Sequence, residues 1–342
     1  MSSPPPAPAL PLPWPPEVTA FLKNIGDGYG YFNPHRLGHR QHGTAVQVTR
    51  TDGNHPAPTD KEMVLKVLDL SDKSKEWRQR FTKVQIIALQ KLRHPSLILC
   101  HKAFGEPGDT MWFLEYDLFR CNLSAAVKNH DNKRLPEEKG KKWCKQMIEG
   151  IMFLHANHWP HRDLKMENIL MTQTDSIVIT DFAFTQEQKT GLPNPLTGSL
   201  TYAAPEVLQD PLNCNPFKAD VWALGVIFYG MHADTRIFHK ESERTVIEAE
   251  HKLPPSHSKS MPVVNDPVLM HKELSDIQRR IRNGMQAFQR SESLNDLLSR
   301  ILVIDPSGRL PLDEMLEHVW FTEKAEDQRL MKSSGKSVTG RH

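Results

Sequence analysis

The sequence predicts an α+β chain, strand-rich from Tyr31 to Glu115 and helix-rich from Leu118 onward. Three observations carry this. Ala45-Val46-Gln47-Val48 and Met63-Val64-Leu65-Lys66-Val67-Leu68 are short β-branched and aliphatic runs that suit strands. Lys141 to Ala156 places Cys144, Ile148, Ile151 and Phe153-Leu154 at mostly helical spacing. Val221 to Tyr229 is apolar all round, as expected of a helix buried inside a large unit. The 342 residues are enough for one large domain or two lobes with a sizeable core.

In chain order, residues 3–16 are dominated by proline, which donates no backbone hydrogen bond, so residues 1–28 are expected to form an extended, disordered head. Such a head either docks in an aromatic-lined groove of a partner or serves as an inert tail. Thr51-Asp52-Gly53-Asn54, followed by Pro56 and Pro58, marks a long turn between two strands. Trp77 to Leu92 carries Phe81, Val84, Ala88 and Leu92 at helical spacing. Pro254-Pro255-Ser256-His257-Ser258 and Pro262 punctuate a later stretch in which Glu273 to Met285 could form a helix. The end, residues 323–342, is polar and expected to fray.

Composition excludes several function classes. Lys plus Arg number 43 against 41 Asp plus Glu, a net charge of +2, which argues against nucleic-acid or membrane-surface binding. Cys100, Cys121, Cys144 and Cys214 are scattered without a C-x-x-C pair, so reduced thiols are expected and zinc is not. No basic-then-apolar leader opens the chain, and the longest apolar run, Val221 to Met231, is shorter than the ~18–20 residues that span a bilayer. A cytoplasmic location is the expectation.

The chemistry concentrates in His161-Arg162-Asp163-Leu164-Lys165-Met166-Glu167-Asn168, then Asp181-Phe182, then Ala204-Pro205-Glu206. In content and order these resemble the catalytic loop, metal-binding loop and activation-segment anchor of protein kinases. The resemblance implies a two-lobed protein kinase fold over 29–322. The N-lobe would span about 29–115 and the C-lobe about 118–322, with an insertion at about 233–290. It also implies Mg2+ and ATP as cofactors and Ser/Thr of protein substrates as acceptors.

Residue roles follow from the resemblance. Asp163 matches the base that accepts the substrate hydroxyl proton, and Lys165 the lysine on the γ-phosphate in serine/threonine kinases. Asn168 and Asp181 match the metal ligands. Lys66, in Met63-Val64-Leu65-Lys66, matches the lysine on the α- and β-phosphates, and Leu37, Gly38, Gly43 and Glu115 complete the ATP site. Arg162 matches the arginine that pairs with an activation-loop phosphate; Pro195 stands four residues before Ser199, where such kinases often carry the phosphorylated threonine, and Thr190 and Thr197 are the alternatives. Asp220 matches the brace of the catalytic loop, Arg309 the partner of Glu206, and His161 a packed spine residue.

Three positions depart from the pattern. Arg40 stands at the second glycine of Leu37-Gly38-His39-Arg40-Gln41-His42-Gly43, where a Cβ restricts backbone approach to phosphate. Counting back from His94-Pro95, Gln85 falls where a glutamate pairs with the lysine. Ala183 replaces the glycine of the metal-binding loop. A working kinase and a pseudokinase scaffold both stay open on these grounds. Within the superfamily, Tyr202-Ala203-Ala204-Pro205-Glu206-Val207-Leu208-Gln209, with Gly198-Ser199 ahead of it, is similar to the testis-specific serine kinases. So are His94-Pro95-Ser96-Leu97-Ile98 and Asp220-Val221-Trp222-Ala223-Leu224-Gly225-Val226-Ile227. That resemblance implies a role in sperm differentiation.

Overall fold

Residues 31–40, 43–51, 60–76, 78–79, 91–105, 109–182, 185, 200–210, 213–232 and 291–323 are described by a computed structural model. The proline-rich head, most of the Trp77–Leu92 helix including Gln85, and Ala183, Thr197 and Ser199 lie outside the described residues. So do the stretch 233–290 and the tail beyond Glu323. The chain divides into two units, one of residues 1–91 with 99–118 and the other of residues 92–98 with 119–342.

In the first unit, alternation of side chains buries one face of strand β2 (Gly43–Arg50), through Thr44, Val46 and Val48, and of most of β3 (Lys61–Asp69), through Met63, Leu65 and Val67. With β1 (Tyr31–Arg40), β4 (Lys102–Phe104) and β5 (Met111–Asp117) they form an antiparallel sheet in the order β1-β2-β3-β5-β4. Strand β5 is buried on both faces. Tyr31, Val46, Val48, Met63, Leu65, Val67 and Phe113 make its core, with Phe104 and Met111 packed against it. Strand β1 keeps pairing with β2 only by slipping register twice, between Phe32 and His35 and between Arg36 and Gly38.

The second unit is built on two buried helices. Helix α2 (Glu137–Ala156) turns Trp143, Cys144, Met147, Ile148, Ile151 and Leu154 inward at three- and four-residue steps. It follows α1 (Leu123–Lys128), which Asn122 caps by accepting the Ala125 N–H at 2.8 Å. Beyond α3 (Pro205–Gln209), helix α4 (Pro216–His232) is buried at every position from Asp220 to His232, as its all-round apolar sequence predicts. It packs against α2 and against α5 (Glu292–Ile301). A Cβ on Gly225 would lie 2.6 Å from Ile301, so glycine is what lets α5 approach α4 there. Helices α6 (Leu312–Glu317) and α7 (Val319–Thr322) close the unit.

Two features were not anticipated from sequence. The helical unit also holds a small antiparallel sheet, β6 (Cys121–Asn122), β7 (Ile169–Met171) and β8 (Ile177–Ile179). Residues 92–98, counted with the N-lobe on sequence grounds, belong to this second unit. Leu97 bridges Ile179, and Ser96 and Ile98 exchange backbone bonds with Ile179 at 2.8 and 2.9 Å.

A carboxylate ties the ends of three helices together. Glu137 accepts the Ser291 N–H at 2.8 Å, the Ser291 hydroxyl at 2.6 Å and the Trp320 indole N–H at 3.0 Å. Ser291 in turn caps α5 by accepting the Leu294 N–H at 3.2 Å. Burial alone would raise the Glu137 pKa, but the bonds from Ser291 and Trp320 outweigh it and hold the carboxyl below its usual 4.5. A depressed carboxyl contributes stability above its unfolded pKa and loses it as pH falls through the lower folded value. Glu137→Gln should therefore cost about 1.5–3 kcal/mol at pH 7, the range for hydrogen bonds to a charged group. In urea melts across pH, the gap to wild type should narrow below pH 4.5. Equal midpoints at pH 7 would contradict this account.

Candidate active site

In the first unit, register gathers Gly38 (β1), Ala45 (β2), Lys66 (β3) and Leu114 (β5) into one cross-strand rank. Directly paired residues share a face, and this face is opposite the one that carries Leu65, Val67 and Val46. Lys66 is half-buried, and along its rank Ala45 carries a single methyl and Gly38 no side chain. Gly43 has φ +135°, and a Cβ there would lie 2.1 Å from the Val67 carbonyl oxygen. Its glycine is thus demanded by the sheet itself. Leu37 is half-exposed on β1.

The Glu115 side chain serves the core of the sheet. The residue pairs with Leu65, so its carboxylate points to the core face and is wholly buried. There it accepts the Tyr31 hydroxyl and pairs with Arg50 at 3.0 Å. Its backbone carbonyl accepts the His101 N–H at 2.9 Å. Burial first, then the bond to Glu115, pushes the Tyr31 phenol well above its usual range, and burial pushes the neighbouring Cys100 thiol up to about 12.

In the second unit, the loop after α2 holds a residue in strained backbone. Arg162 has φ +70°, a left-handed conformation that costs a non-glycine residue about 1–3 kcal/mol. Asp220, at the start of the buried part of α4, over-determines it. Its carboxylate accepts the backbone N–H of His161 at 2.7 Å and of Arg162 at 2.9 Å, and meets the His155 ring at 2.8 Å. Burial holds the Arg162 guanidinium below its ordinary pKa, opposed by the charge on Asp220.

His161 is fully buried and packs on Phe182 with ring centroids 5.6 Å apart. Its Nδ1 accepts the Asp163 N–H at 3.2 Å, so the ring hydrogen sits on Nε2 and is donated to the Thr180 carbonyl at 3.0 Å. The imidazole thereby ties the loop carrying Asp163 to the strand end preceding Asp181.

Asp163 is the centre of the cluster. One carboxylate oxygen accepts Lys165 Nζ at 2.7 Å and Asn168 Nδ2 at 3.0 Å. The other, Oδ1, is buried and meets no hydrogen-bond donor among the described residues. A buried acceptor without a donor is costly and rare, and it marks where an incoming hydroxyl could bind. Asn168 spends its Nδ2 on the Asp163 side chain and, at 2.9 Å, on its backbone carbonyl, which leaves Oδ1 as the amide's acceptor. The Thr180 N–H donates to the Asn168 carbonyl at 2.9 Å, so the chain delivers Asp181 beside Asn168. Asp181 is half-buried with φ +70°.

Asn168 and Asp181 are hard oxygen donors, the chemistry that suits magnesium. No group of three or more His, Cys, Asp or Glu is placed to hold a metal among the described residues. Magnesium at a phosphate site is typically held by one or two carboxylates together with phosphate oxygens, so this donor set fits it.

Farther along, Glu206 on α3 meets Arg309 in a two-pronged ion pair, both N···O distances 2.6 Å. Arg309 also donates to the carbonyls of Val303, Lys218 and Ile304 at 2.8, 2.8 and 3.2 Å and lies over the Trp222 ring at 5.0 Å. Sequence reasoning missed three residues of this unit: His155, which braces Asp220; Thr185, whose hydroxyl donates to the His161 carbonyl at 3.1 Å; and Tyr202, whose oxygen meets the Met166 N–H at 3.4 Å. Burial raises the Tyr202 pKa well above the ordinary phenol value. No motif or spacing marks His155 or Thr185, and the run that opens on Tyr202 gave no hint of its bond to Met166.

A model of the protein kinase domain matches residues 32–321. The chain belongs to the protein kinase superfamily. Among curated relatives, this kinase domain is similar to the serine/threonine protein kinase OSK3 of Oryza sativa subsp. indica, 26% identical over 266 residues, which is 77% of this chain and 46% of that one. It is also similar to the probable serine/threonine-protein kinase MARK-B of Dictyostelium discoideum, 29% identical over 270 residues, 75% of this chain and 32% of that one. A third relative is the carbon catabolite-derepressing protein kinase of Secale cereale, 25% identical over 288 residues, 82% of this chain and 50% of that one. The chain spans about half or less of the length of these relatives. Among the described residues, no helix is long and apolar enough to cross a membrane.

Proposed function

We propose that this chain is a serine/threonine protein kinase that transfers the γ-phosphoryl group of Mg·ATP to Ser or Thr of protein substrates. The observation that carries the reading is the buried, unmet Oδ1 of Asp163, flanked by Lys165 and Asn168. Phosphoryl transfer is mainly positioning and charge neutralisation, and each task has a residue here. Asp163 Oδ1 would orient the substrate hydroxyl and finally take its proton. Lys165, already within 2.7 Å of Asp163, would place its ammonium on the γ-phosphate. Lys66 would hold the α- and β-phosphates on the sheet face it shares with Gly38 and Ala45. Asn168 and Asp181 would hold Mg2+, which when bound neutralises phosphate charge.

Regulation and setting belong to the same reading. Thr190 and Thr197 are the proposed phosphate carriers for Arg162. The run from Tyr202 to Gln209 supports placement beside the testis-specific serine kinases, and with it a cytoplasmic role in sperm differentiation. The proline-rich head is the proposed contact for an aromatic-lined groove.

The test is phosphate transfer from labelled ATP to a generic Ser/Thr protein substrate by the purified chain, with and without Mg2+. Metal-dependent transfer is expected. None over long incubation with several substrates would leave the fold as a binding scaffold. Gln85 bears on turnover: Gln85→Glu would give Lys66 a charged partner and should raise kcat several-fold, on the order of the 0.5–1 kcal/mol of a partly exposed ion pair. An unchanged or lower kcat in the same assay would mean that another residue already positions Lys66.

A further inference from the structure

Asp181 occupies left-handed backbone, φ +70°, without being glycine. Strain of this kind persists only where neighbours fix the chain on both sides. Before Asp181, the Thr180 carbonyl accepts the Nε2 hydrogen of His161 at 3.0 Å, and the Thr180 N–H is held by the Asn168 carbonyl at 2.9 Å. After it, the Thr185 hydroxyl donates to the His161 carbonyl at 3.1 Å, and the Thr185 N–H to the Phe182 carbonyl at 3.2 Å. Thr185 is 3% exposed. Both flanks of Asp181 are therefore fastened to one residue, His161, whose ring also receives the Asp163 N–H at 3.2 Å.

We infer that Thr185 is a positioning residue for Asp181: its hydroxyl closes the second of two clamps onto His161 and so sets the Asp181 carboxylate against Asn168 for the divalent cation. This rests on the proposed kinase reading of the site. A valine at 185 keeps the shape and the buried methyl but has no hydroxyl, leaving the His161 carbonyl without that donor. Serine restores the donor.

The experiment measures the affinity of the purified chain for a non-hydrolysable ATP analogue by calorimetry, with Mg2+ and without it, for wild type, Thr185→Val and Thr185→Ser. It also measures the Mg2+ concentration giving half-maximal phosphate transfer. Loss of one neutral hydrogen bond should weaken metal-dependent nucleotide affinity about 3–10-fold in Thr185→Val and raise the half-maximal Mg2+ concentration by a similar factor. Metal-free affinity should be unchanged, and Thr185→Ser should lie near wild type. If Thr185→Val matches wild type in metal dependence, or loses metal-free affinity equally, Thr185 does not position Asp181. A wild type whose nucleotide binding ignores Mg2+ would instead remove the kinase reading, and the inference with it.

Discussion

Asp163→Asn should lower phosphate transfer about 10²–10⁴-fold, the range for removing a positioned general base, while the protein stays folded. The two effects separate because the two carboxylate oxygens have separate tasks. Oδ2 carries the loop's internal bonds, from Lys165 at 2.7 Å and Asn168 at 3.0 Å, and an amide oxygen can take its place. Oδ1 has no donor among the described residues, so an amide nitrogen there breaks no hydrogen bond described in this site. What disappears is the negative charge and the capacity to accept a proton. The melting temperature should shift by only a few degrees, and nucleotide binding should survive. Equal transfer by wild type and variant, under conditions where both bind nucleotide, would show that Asp163 is not the base. Parallel loss of folding and transfer would mean that Oδ1 has a structural partner.

How much of this was legible in the sequence depends on how local each feature is. Val46 and Val48 on β2, and Met63, Leu65 and Val67 on β3, alternate cleanly and mark their strands. Helix α4 is apolar all round and is buried all round. Strands β6, β7 and β8 are two or three residues long, too short for any period to register. The two register slips in β1 break alternation where it would have been informative. Asp163, Lys165 and Asn168 could be picked out because the loop that places them is contiguous in the chain. Thr185 and His155 could not, since each acts through one bond to a residue brought near by folding. The face of Glu115 was equally hidden. Strand pairing puts Lys66 and Leu114 on one side and Leu65 and Glu115 on the other, and a one-residue shift in register exchanges the two sides.

Arg309→Met should destabilise the second unit by about 3–5 kcal/mol, the cost of removing one partner of a buried ion pair. Arg309 is 1% exposed, and three carbonyls as well as Glu206 depend on its guanidinium. Methionine fills much of the volume and keeps contact with Trp222, so the loss measures unmet polar groups rather than an empty cavity. Arg309→Lys should recover little, because one ammonium cannot reproduce a planar fork to a carboxylate while also serving Val303 and Ile304. The double variant Arg309→Met/Glu206→Gln should regain part of the loss, since the carboxylate left without a counter-charge is then neutral. Urea denaturation of wild type, Arg309→Met, Glu206→Gln and the double variant reads this directly, and the coupling between the two sites follows from the cycle. Additive losses would mean that the two 2.6 Å contacts carry no energy of their own, and that Arg309 acts only through the backbone carbonyls it holds.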